Sequence, residues 1–319
     1  MVVPNDEQQR VLSQLSSLGG KPVETLSAVE ARQQPSPADA VTALLKAAGQ
    51  STMPAAVAHV VTRTIPTAAG ALPVRIYTPA GAGPFPVMVY YHGGGFVIAT
   101  MDTYDASARA LVVATNAMLV SVEYRKAPEQ KFPAAHDDAF AAYAWVVANA
   151  GTLHGDTARM ALVGESAGGN LAVATAVMAR DKGIRAPVAI LAVYPIAGSD
   201  TTTASYQTNA NAKPLSRPMM SWFFAQYCRT PADADDPRLN ILAADLKGLP
   251  PTTIINAQID PLLSDGEMLA AKLRGAGVDV RYKRFDGVAH EFFGQGAVVA
   301  AAKDAVQFGA DGLNKAFGH

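Results

Sequence analysis

The sequence predicts an α/β protein built on a mainly parallel β-sheet with helices on both faces. Short runs of β-branched and aromatic residues alternate with helix-compatible stretches, which is the pattern of βαβ units. One run, Phe85–Tyr91, is almost continuously apolar, as expected of a central strand covered on both sides. A chain of 319 residues, half of them hydrophobic, is also long enough to bury a large core.

The composition excludes several classes of protein. Lys and Arg total 26 against 27 Asp and Glu, so no basic surface for nucleic acid is expected. The single cysteine, Cys228, excludes an intrachain disulfide and a thiolate metal cluster, and it favours a reducing compartment. The first twenty residues lack the pattern of a signal peptide, and no apolar run approaches the ~20 residues that span a bilayer. We therefore expect a cytoplasmic protein without a membrane span.

Two short helices are predicted before the first strand. One follows Asn5, and the other begins at Ser36, whose side chain can cap it, with Pro37 in its first turn. Eight strands are then predicted, at His59–Thr64, Pro73–Tyr77, Phe85–Tyr91, Met118–Tyr124, Met160–Val163, Val188–Tyr194, Thr252–Asn256 and Val278–Phe285. The chain closes with an amphipathic helix that carries Val299, Ala302, Val306, Ala310, Leu313 and Phe317 on one face.

The alternation of strands and helices lapses between Ala197 and Leu242. A polar stretch there leads to an aromatic helix predicted over Met219–Cys228 and then to two prolines. This segment is typical of an insertion into the sheet domain. Its helix carries Trp222, Phe223, Phe224 and Tyr227, which could close a pocket with apolar surface, but one helix cannot point all four inward.

The sharpest local motif is Gly164-Glu165-Ser166-Ala167-Gly168, which lies between a predicted strand and a helix rich in small residues. A G-x-S-x-G sequence in that setting is typical of a nucleophile elbow, where the serine takes a strained conformation and its hydroxyl projects above the sheet. The alternative is an ordinary glycine-rich turn between a strand and a helix.

A serine nucleophile needs a base to accept its proton and an acid to orient that base. Asp260 follows the strand predicted at Thr252–Asn256, and His290 follows the last strand. Both therefore lie at the carboxyl edge of the sheet, where ligands bind in open α/β folds. The chain order Ser166, Asp260, His290 is the nucleophile, acid and base order of α/β-hydrolases.

Other residues could fill these roles. Asp265 is expected to be a charge in the first turn of a helix, and Asp286 before Gly287 to be a turn residue. Among the histidines, His136 is expected to be a surface or helix-start side chain. The remaining candidates are His59 in an early strand, His154 in a loop and His319 at the end of the chain.

A glycine loop, His92-Gly93-Gly94-Gly95, directly follows the third strand. Consecutive glycines can aim backbone N–H groups at the oxyanion of an acyl-transfer intermediate, and Ala167 would supply another donor. A phosphate-binding loop is the alternative, but neither G-x-G-x-x-G nor Gly-Lys-Ser/Thr is present. We expect His92 to brace the loop; a second catalytic base there is the minority interpretation.

Together these motifs resemble the bacterial hormone-sensitive-lipase-like esterases (family IV) of the α/β-hydrolase fold. The resemblance also rests on five further motifs that extend it over nearly the whole chain: Tyr124-Arg125-Lys126-Ala127-Pro128-Glu129, Phe132-Pro133-Ala134-Ala135, Asp137-Asp138, Asp260-Pro261-Leu262 and His290-Glu291-Phe292. The chain departs from the family pattern at Glu165, where Asp is commoner, at Lys126, which replaces a usual Leu, and at Glu123, which replaces a usual Asp.

The resemblance implies a role for each motif. Ser166 would be the nucleophile, His290 the base and Asp260 its partner, and the N–H groups of Gly93, Gly94 and Ala167 would form the oxyanion hole. It also implies a helical cap, made from residues 1–50 and 197–240, over a catalytic domain of residues 51–196 and 241–319. Trp222, Phe223 and Tyr194 are our candidates for substrate binding.

The leading hypothesis is a serine carboxylesterase that cleaves short- to medium-chain acyl esters of small molecules through an acyl-serine intermediate. An amidase or acyltransferase with the same triad, and a non-catalytic receptor on the same fold, are the alternatives. No cofactor or metal is expected, since no histidine–carboxylate cluster has ligand spacing. A homodimer through the last strand is one expectation, although the alternation of Arg281 and Lys283 is also typical of edge protection.

Overall fold

The computed structural model describes residues 2–318, and within them eight strands pair into one sheet. In chain order they are β1 (His59–Thr67), β2 (Gly70–Thr78), β3 (Phe85–Tyr91), β4 (Met118–Val122), β5 (Gly155–Glu165), β6 (Ala189–Val193), β7 (Thr252–Ile259) and β8 (Val280–Ala289). Every predicted strand is present, with ends that differ by a few residues. The predicted fold class, an eight-stranded, mostly parallel sheet flanked by helices, is confirmed.

The strands lie in the order β1-β2-β4-β3-β5-β6-β7-β8. β2 is antiparallel to both of its neighbours, and β4, β3, β5, β6, β7 and β8 are parallel to one another. The carboxyl ends of these six strands therefore share one edge of the sheet. β8 is an outer strand, as predicted, and its pairing with a second copy of the chain stays a prediction.

Helices cover both faces of the sheet. Among the residues described, the α-helices are α1 (Asp6–Ser17), α2 (Ala28–Ala31), α3 (Pro37–Ala47), α4 (Asp105–Thr115), α5 (Ala134–Asn149), α6 (Ala167–Asp181), α7 (Ala204–Thr208), α8 (Arg217–Tyr227), α9 (Leu263–Gly275) and α10 (Ala300–Phe317). Short 3₁₀ helices lie at Val23–Thr25, Ala150–Leu153, Pro231–Asp235, Ile241–Ala243 and Phe292–Gln295. None of the helices within residues 2–318 is long and apolar enough to span a membrane.

The core consists of two hydrophobic layers because successive side chains of a strand point to opposite faces. In β3, Val87, Val89 and Tyr91 pack in the layer beneath α5, α6 and α9. Met88 and Tyr90 pack in the opposite layer, which contains α4 and α10. Both faces of β3 are therefore buried, which explains its continuous apolar sequence.

The helices before β1 lie near the carboxyl edge of the sheet and are held there by polar contacts. The Arg32 guanidinium donates to the carbonyl oxygens of Val97 (2.8 Å) and Ala127 (2.7 Å), beside the glycine loop. The Trp222 indole of α8 donates to the Leu26 carbonyl at 3.1 Å. The first fifty residues and the 197–240 segment thus contact each other and the rim of the sheet. The sequence did not predict α2, which is only four residues long.

Candidate active site

The turn after β5 has the geometry of a nucleophile elbow. Ser166 adopts φ 56° and ψ −118° between the end of β5 and the start of α6. A Cβ at Gly168 would lie 1.9 Å from the Tyr91 carbonyl oxygen, and a Cβ at Gly164 would lie 2.0 Å from the Gly168 carbonyl oxygen. Only glycine fits either position, and the two glycines let the strand and helix approach closely enough to force the turn.

Ser166, Asp260 and His290 meet at the carboxyl edge of the sheet. Each residue directly follows the last residue of a strand, namely Glu165 of β5, Ile259 of β7 or Ala289 of β8. The Ser166 hydroxyl lies 3.0 Å from Nε2 of His290, and Nδ1 of His290 lies 2.6 Å from Oδ2 of Asp260. This is the hydrogen-bonded arrangement of nucleophile, base and acid that the sequence predicted.

The three side chains are almost inaccessible to solvent, which affects their charges. Burial alone would lower the pKa of His290 by disfavouring the imidazolium, but the carboxylate of Asp260 and its hydrogen bond outweigh that effect. The charges of Glu291 and Glu165 also favour the imidazolium, so the pKa of His290 is raised above its ordinary value. The site therefore stabilises the imidazolium that forms when the histidine accepts a proton.

The glycine loop presents N–H groups close to the serine. Gly94 and Gly95 line the cavity that contains Ser166, and both have positive φ angles, 96° and 60°. The N–H groups of Gly93, Gly94 and Ala167 make no backbone hydrogen bond outside the helices and strands of residues 2–318. Of these three residues, Gly94 lines the cavity and Gly93 and Ala167 do not. A side chain at Gly94 would also clash with the Ile98 carbonyl, 2.3 Å from its Cβ position.

His92 braces this loop from behind. Its Nδ1 donates to the Gly93 carbonyl at 2.7 Å, and its ring stacks on Tyr124 at 4.3 Å. Burial lowers the pKa of His92 to about 4, so the ring is neutral near pH 7. It does not line the cavity of Ser166, which favours the bracing role over that of a second base.

The three departures from the family pattern are part of two polar networks, of which that of Glu123 and Lys126 is partly exposed and that of Glu165 is buried. The Lys126 ammonium pairs with the Glu123 carboxylate, which also accepts the Met101 N–H at 2.8 Å. Glu165 lies on the other side of the loop, where it accepts hydrogen bonds from the Tyr90 hydroxyl (2.5 Å) and the Tyr194 hydroxyl. Burial raises the pKa of Glu165 to about 7.

The competing acids and bases lie elsewhere. Asp265 is in the first turn of α9 as expected, but it is buried, and it accepts the N–H groups of Ala197 and Gly198 at 2.9 and 3.0 Å. The interpretation of Asp286 as a turn residue is wrong, because β8 continues through it to Ala289. Its carboxylate is exposed and pairs with Arg284.

The histidines other than His290 also lie outside the triad. His136 does begin a helix, but the expectation that it lies on the surface is wrong. It is 1% exposed, its Nδ1 lies 2.7 Å from the Tyr227 hydroxyl, and its Nε2 lies 2.9 Å from the Asn170 side-chain oxygen. His59 begins β1, and His154 ends a 3₁₀ helix. His319 lies outside the described residues.

A cavity of about 350 Å³ opens onto Ser166 and His290. Its wall comes from the glycine loop and from both covering segments: Leu12, Leu15, Val23 and Pro35 from the first fifty residues, and Leu215, Met219 and Phe223 from the 197–240 segment. Phe223 packs directly on the glycine loop, since a Cβ at Gly95 would lie 2.2 Å from its ring.

The other two aromatic candidates do not line this cavity. The Trp222 side chain lies against the N-terminal segment, with its indole bonded to the Leu26 carbonyl. The Tyr194 ring lies 4.5 Å from the His290 ring, behind the triad, and its hydroxyl bonds to Glu165. Helix geometry explains why Trp222 does not line the cavity, because adjacent residues of a helix such as Trp222 and Phe223 face different directions.

Sequence reasoning missed one pair of residues in the cavity wall. Glu291 directly follows His290 with φ 68°, and its carboxylate accepts the Tyr104 hydroxyl at 2.5 Å. Both residues line the cavity beside Ser166. The motif around His290 could have directed attention to Glu291, but nothing in the loop around Tyr104 marks it. Across residues 2–318, no group of three or more histidine, cysteine or acidic side chains has the arrangement of a metal site.

Known proteins similar to this chain in sequence and in fold are hydrolases and esterases. A family model described as alpha/beta hydrolase fold matches residues 88–294. The chain is 41% identical over 250 residues to carboxylesterase NlhH of Mycobacterium tuberculosis, covering 77% of this chain and 78% of that protein. It is 34% identical over 215 residues to an ethyl acetate hydrolase of Pseudomonas putida, covering 67% and 68%. Among solved structures, an esterase of Pyrobaculum calidifontis superposes with a TM-score of 0.88 at 34% identity, covering 98% of each chain.

Proposed function

We propose a mechanism and a substrate class for this chain, which belongs to the alpha/beta hydrolase fold family and, within it, to the hormone-sensitive-lipase-like esterases. The chain is a carboxylesterase. In the mechanism that we propose, Ser166 is the nucleophile, His290 the general base and Asp260 the acid that orients it. The observation that carries the proposal is the unbroken chain of hydrogen bonds from Ser166 through His290 to Asp260.

The first half of the reaction forms an acyl-enzyme. Ser166 Oγ attacks the carbonyl carbon of the ester while His290 Nε2 takes the hydroxyl proton. Asp260 accepts the hydrogen bond from Nδ1–H of His290 and stabilises the imidazolium without itself taking a proton. The negative charge that develops on the carbonyl oxygen is stabilised by the N–H groups of Gly93, Gly94 and Ala167. Collapse of the intermediate releases the alcohol, which takes the proton back from His290.

The second half regenerates the enzyme. A water molecule gives a proton to His290 and attacks the acyl carbonyl, and the same N–H groups stabilise the second oxyanion. Its collapse breaks the bond to Ser166, which recovers its proton from His290, and the carboxylic acid leaves. No step in this cycle requires a metal ion or an organic cofactor.

The cavity supports a preference for short to medium acyl chains. At about 350 Å³ it lies near the lower end of the range for small-molecule sites. We propose that residues 1–50 and 197–240 form a cap that closes this space over the sheet domain of residues 51–196 and 241–319. Each buried methylene contributes about 0.8 kcal/mol, so binding improves with acyl length until the cap stops the chain.

A panel of soluble esters with acyl chains from acetyl to palmitoyl tests this proposal. We expect the highest kcat/KM at about four to eight carbons, where a cavity of this size fills, and little activity on emulsified triglycerides. Dialysis against EDTA should leave turnover unchanged, because the mechanism uses no metal. An optimum at sixteen carbons would contradict the closed cavity, and faster turnover of matched amides would favour an amidase.

A further inference from the structure

A carboxylate with no part in the mechanism above is buried directly beside the nucleophile. Glu165 is 1% exposed, although burying an ionisable group costs free energy unless its partners compensate. Both of its oxygens have such partners, the hydroxyls of Tyr90 and Tyr194. The Ser107 hydroxyl also lies close enough to favour the ionised form.

Glu165 connects the two strands that flank β5. Tyr90 belongs to β3 on one side, and Tyr194 directly follows β6 on the other. Glu165 itself pairs with Val193, the residue before Tyr194. The carboxylate must therefore reach a hydroxyl on each side at once. An aspartate is one methylene shorter, so from the same backbone position it reaches less far toward the two hydroxyls.

Tyr194 links this carboxylate to the catalytic base. Its ring centroid lies 4.5 Å from that of His290 and is tilted by 49°, so it covers one side of the imidazole. Its backbone has φ 35°, an uncommon value for a residue other than glycine, which places the ring there at the cost of local strain. The hydrogen bond to Glu165 fixes the far end of this ring.

The surroundings of His290 and Glu165 are dominated by acidic groups. His290 is affected by Asp260, Glu291 and Glu165. Glu165 in turn is affected by Glu291, the Ser107 hydroxyl and its two tyrosine partners, Tyr90 and Tyr194. A carboxylate near an imidazole favours the imidazolium, and Glu165 acts on His290 in that direction.

We propose that Glu165 is a positioning residue for ester hydrolysis in this chain: through Tyr194 it holds the imidazole of His290 in place, and its negative charge stabilises the imidazolium. It acts behind the triad and does not touch the substrate. The inference rests on the proposed function, since it assigns a role in the same reaction.

Two substitutions at Glu165 distinguish the effect of its negative charge from the effect of its side-chain length. Glu165→Gln keeps the length of the side chain and removes its charge, whereas Glu165→Asp keeps the charge and shortens the reach. The activity rises with pH as His290 loses its proton. Without the charge of Glu165 that proton leaves at lower pH, so in the Gln variant the midpoint of the acid limb of kcat/KM should fall by at least about half a pH unit. The Asp variant should keep a midpoint close to wild type and lose kcat by about tenfold, because Tyr194 is no longer held.

Asp265→Asn is the matched control. Asp265 is also 1% exposed, and burial likewise raises its pKa to about 7, but its bonds go to Ala197 and Gly198 and not to the triad. We expect no shift of the acid midpoint in this variant. Equal midpoints in Glu165→Gln and Asp265→Asn would overturn the inference.

Labelling of Ser166 by an organophosphate in the same samples counts the active sites. It also distinguishes failure of the proposed function from failure of the role of Glu165. If the wild-type protein hydrolyses esters without being labelled, the proposed serine mechanism is wrong, and not only the role of Glu165. Tyr194→Phe retains the ring and loses the hydroxyl, and it provides a second test if the Gln variant does not fold. We expect it to lower kcat per labelled site with little change in KM, and an unchanged kcat would also overturn the inference.

Discussion

The rim of the sheet and the segments that cover it are built on different principles. At the rim, Ser166, Asp260 and His290 each follow the last residue of a strand, and they are 4%, 0% and 3% exposed. The covering segments, residues 2–50 and 197–240, are short helices and loops. Polar bonds between residues distant in the sequence hold them, such as Trp222 to Leu26 and Arg32 to Val97.

This difference implies that the rim of the sheet carries out the reaction and that the covering segments determine which ester is preferred. The distances within the triad are fixed by the register of parallel strands, which cannot shift by one residue without turning the core side chains outward. The cover contributes much of the cavity wall but neither the triad nor the glycine loop. Changes at the rim should therefore abolish turnover, whereas changes in the cover should alter which ester is preferred.

The largest effect is expected from Ser166→Ala. Removing the nucleophile should lower kcat by about 10⁴-fold or more and abolish covalent labelling by an organophosphate. The fold should be retained, since the glycines on either side keep the turn. Circular dichroism and turnover of a soluble ester measure the two outcomes. Full activity in a folded variant would mean that the chain does not use this serine.

His290→Ala and Asp260→Asn should come close to that loss. The first removes the base, and the second leaves the imidazole in the wrong tautomer, which together with lost imidazolium stabilisation costs about 10⁴-fold in kcat. Steady-state kinetics on the same ester measures both. Asp265→Asn removes a buried carboxylate that lies outside the triad, so it should retain most of the activity, and the reverse ranking would show that Asp265 is the acid. His136 is a poor control because its ring bonds to Tyr227 and Asn170.

The sequence predicted the rim well because the rim depends on local patterns. Short segments of sequence are enough to recognise strand ends, a G-x-S-x-G turn and consecutive glycines. The same reasoning failed at Asp286, where Asp-Gly indicated a turn. β8 continues there because it bulges: Ala257 pairs with Phe285 and Ile259 with Ala289, so β8 carries extra residues between these two pairs without ending.

The buried polar side chains were not predictable in this way. His136 and Glu165 are polar residues of types that are mostly exposed or only partly buried, and their burial depends on partners more than thirty residues away or on neighbouring strands. The direction of each aromatic side chain on α8 likewise depends on how the helix rotates against the rim. Only the structure shows that Phe223 faces the cavity and that Trp222 does not.

The smallest effect is a change of acyl preference, and it tests the cover through two adjacent residues of α8. Phe223 is 4% exposed, lines the cavity and packs on Gly95, so Phe223→Ala should extend the space available to the acyl chain. Each methylene that the larger cavity admits is worth about 0.8 kcal/mol, or about fourfold in kcat/KM, in favour of longer esters. The ratio of kcat/KM between octanoyl and butanoyl esters measures this shift.

Trp222→Phe is the matched change on the same helix. It removes the bond from the indole to the Leu26 carbonyl without altering the cavity wall, so the unfolding temperature should fall while the octanoyl-to-butanoyl ratio stays at the wild-type value. Thermal unfolding and the same pair of esters measure both quantities. If the two variants shift the octanoyl-to-butanoyl ratio equally, the preferred acyl length depends on how firmly both covering segments are held over the sheet. If only Phe223→Ala shifts it, the limit is the ring that closes the cavity above Gly95, and selectivity depends on a single side chain of the 197–240 segment.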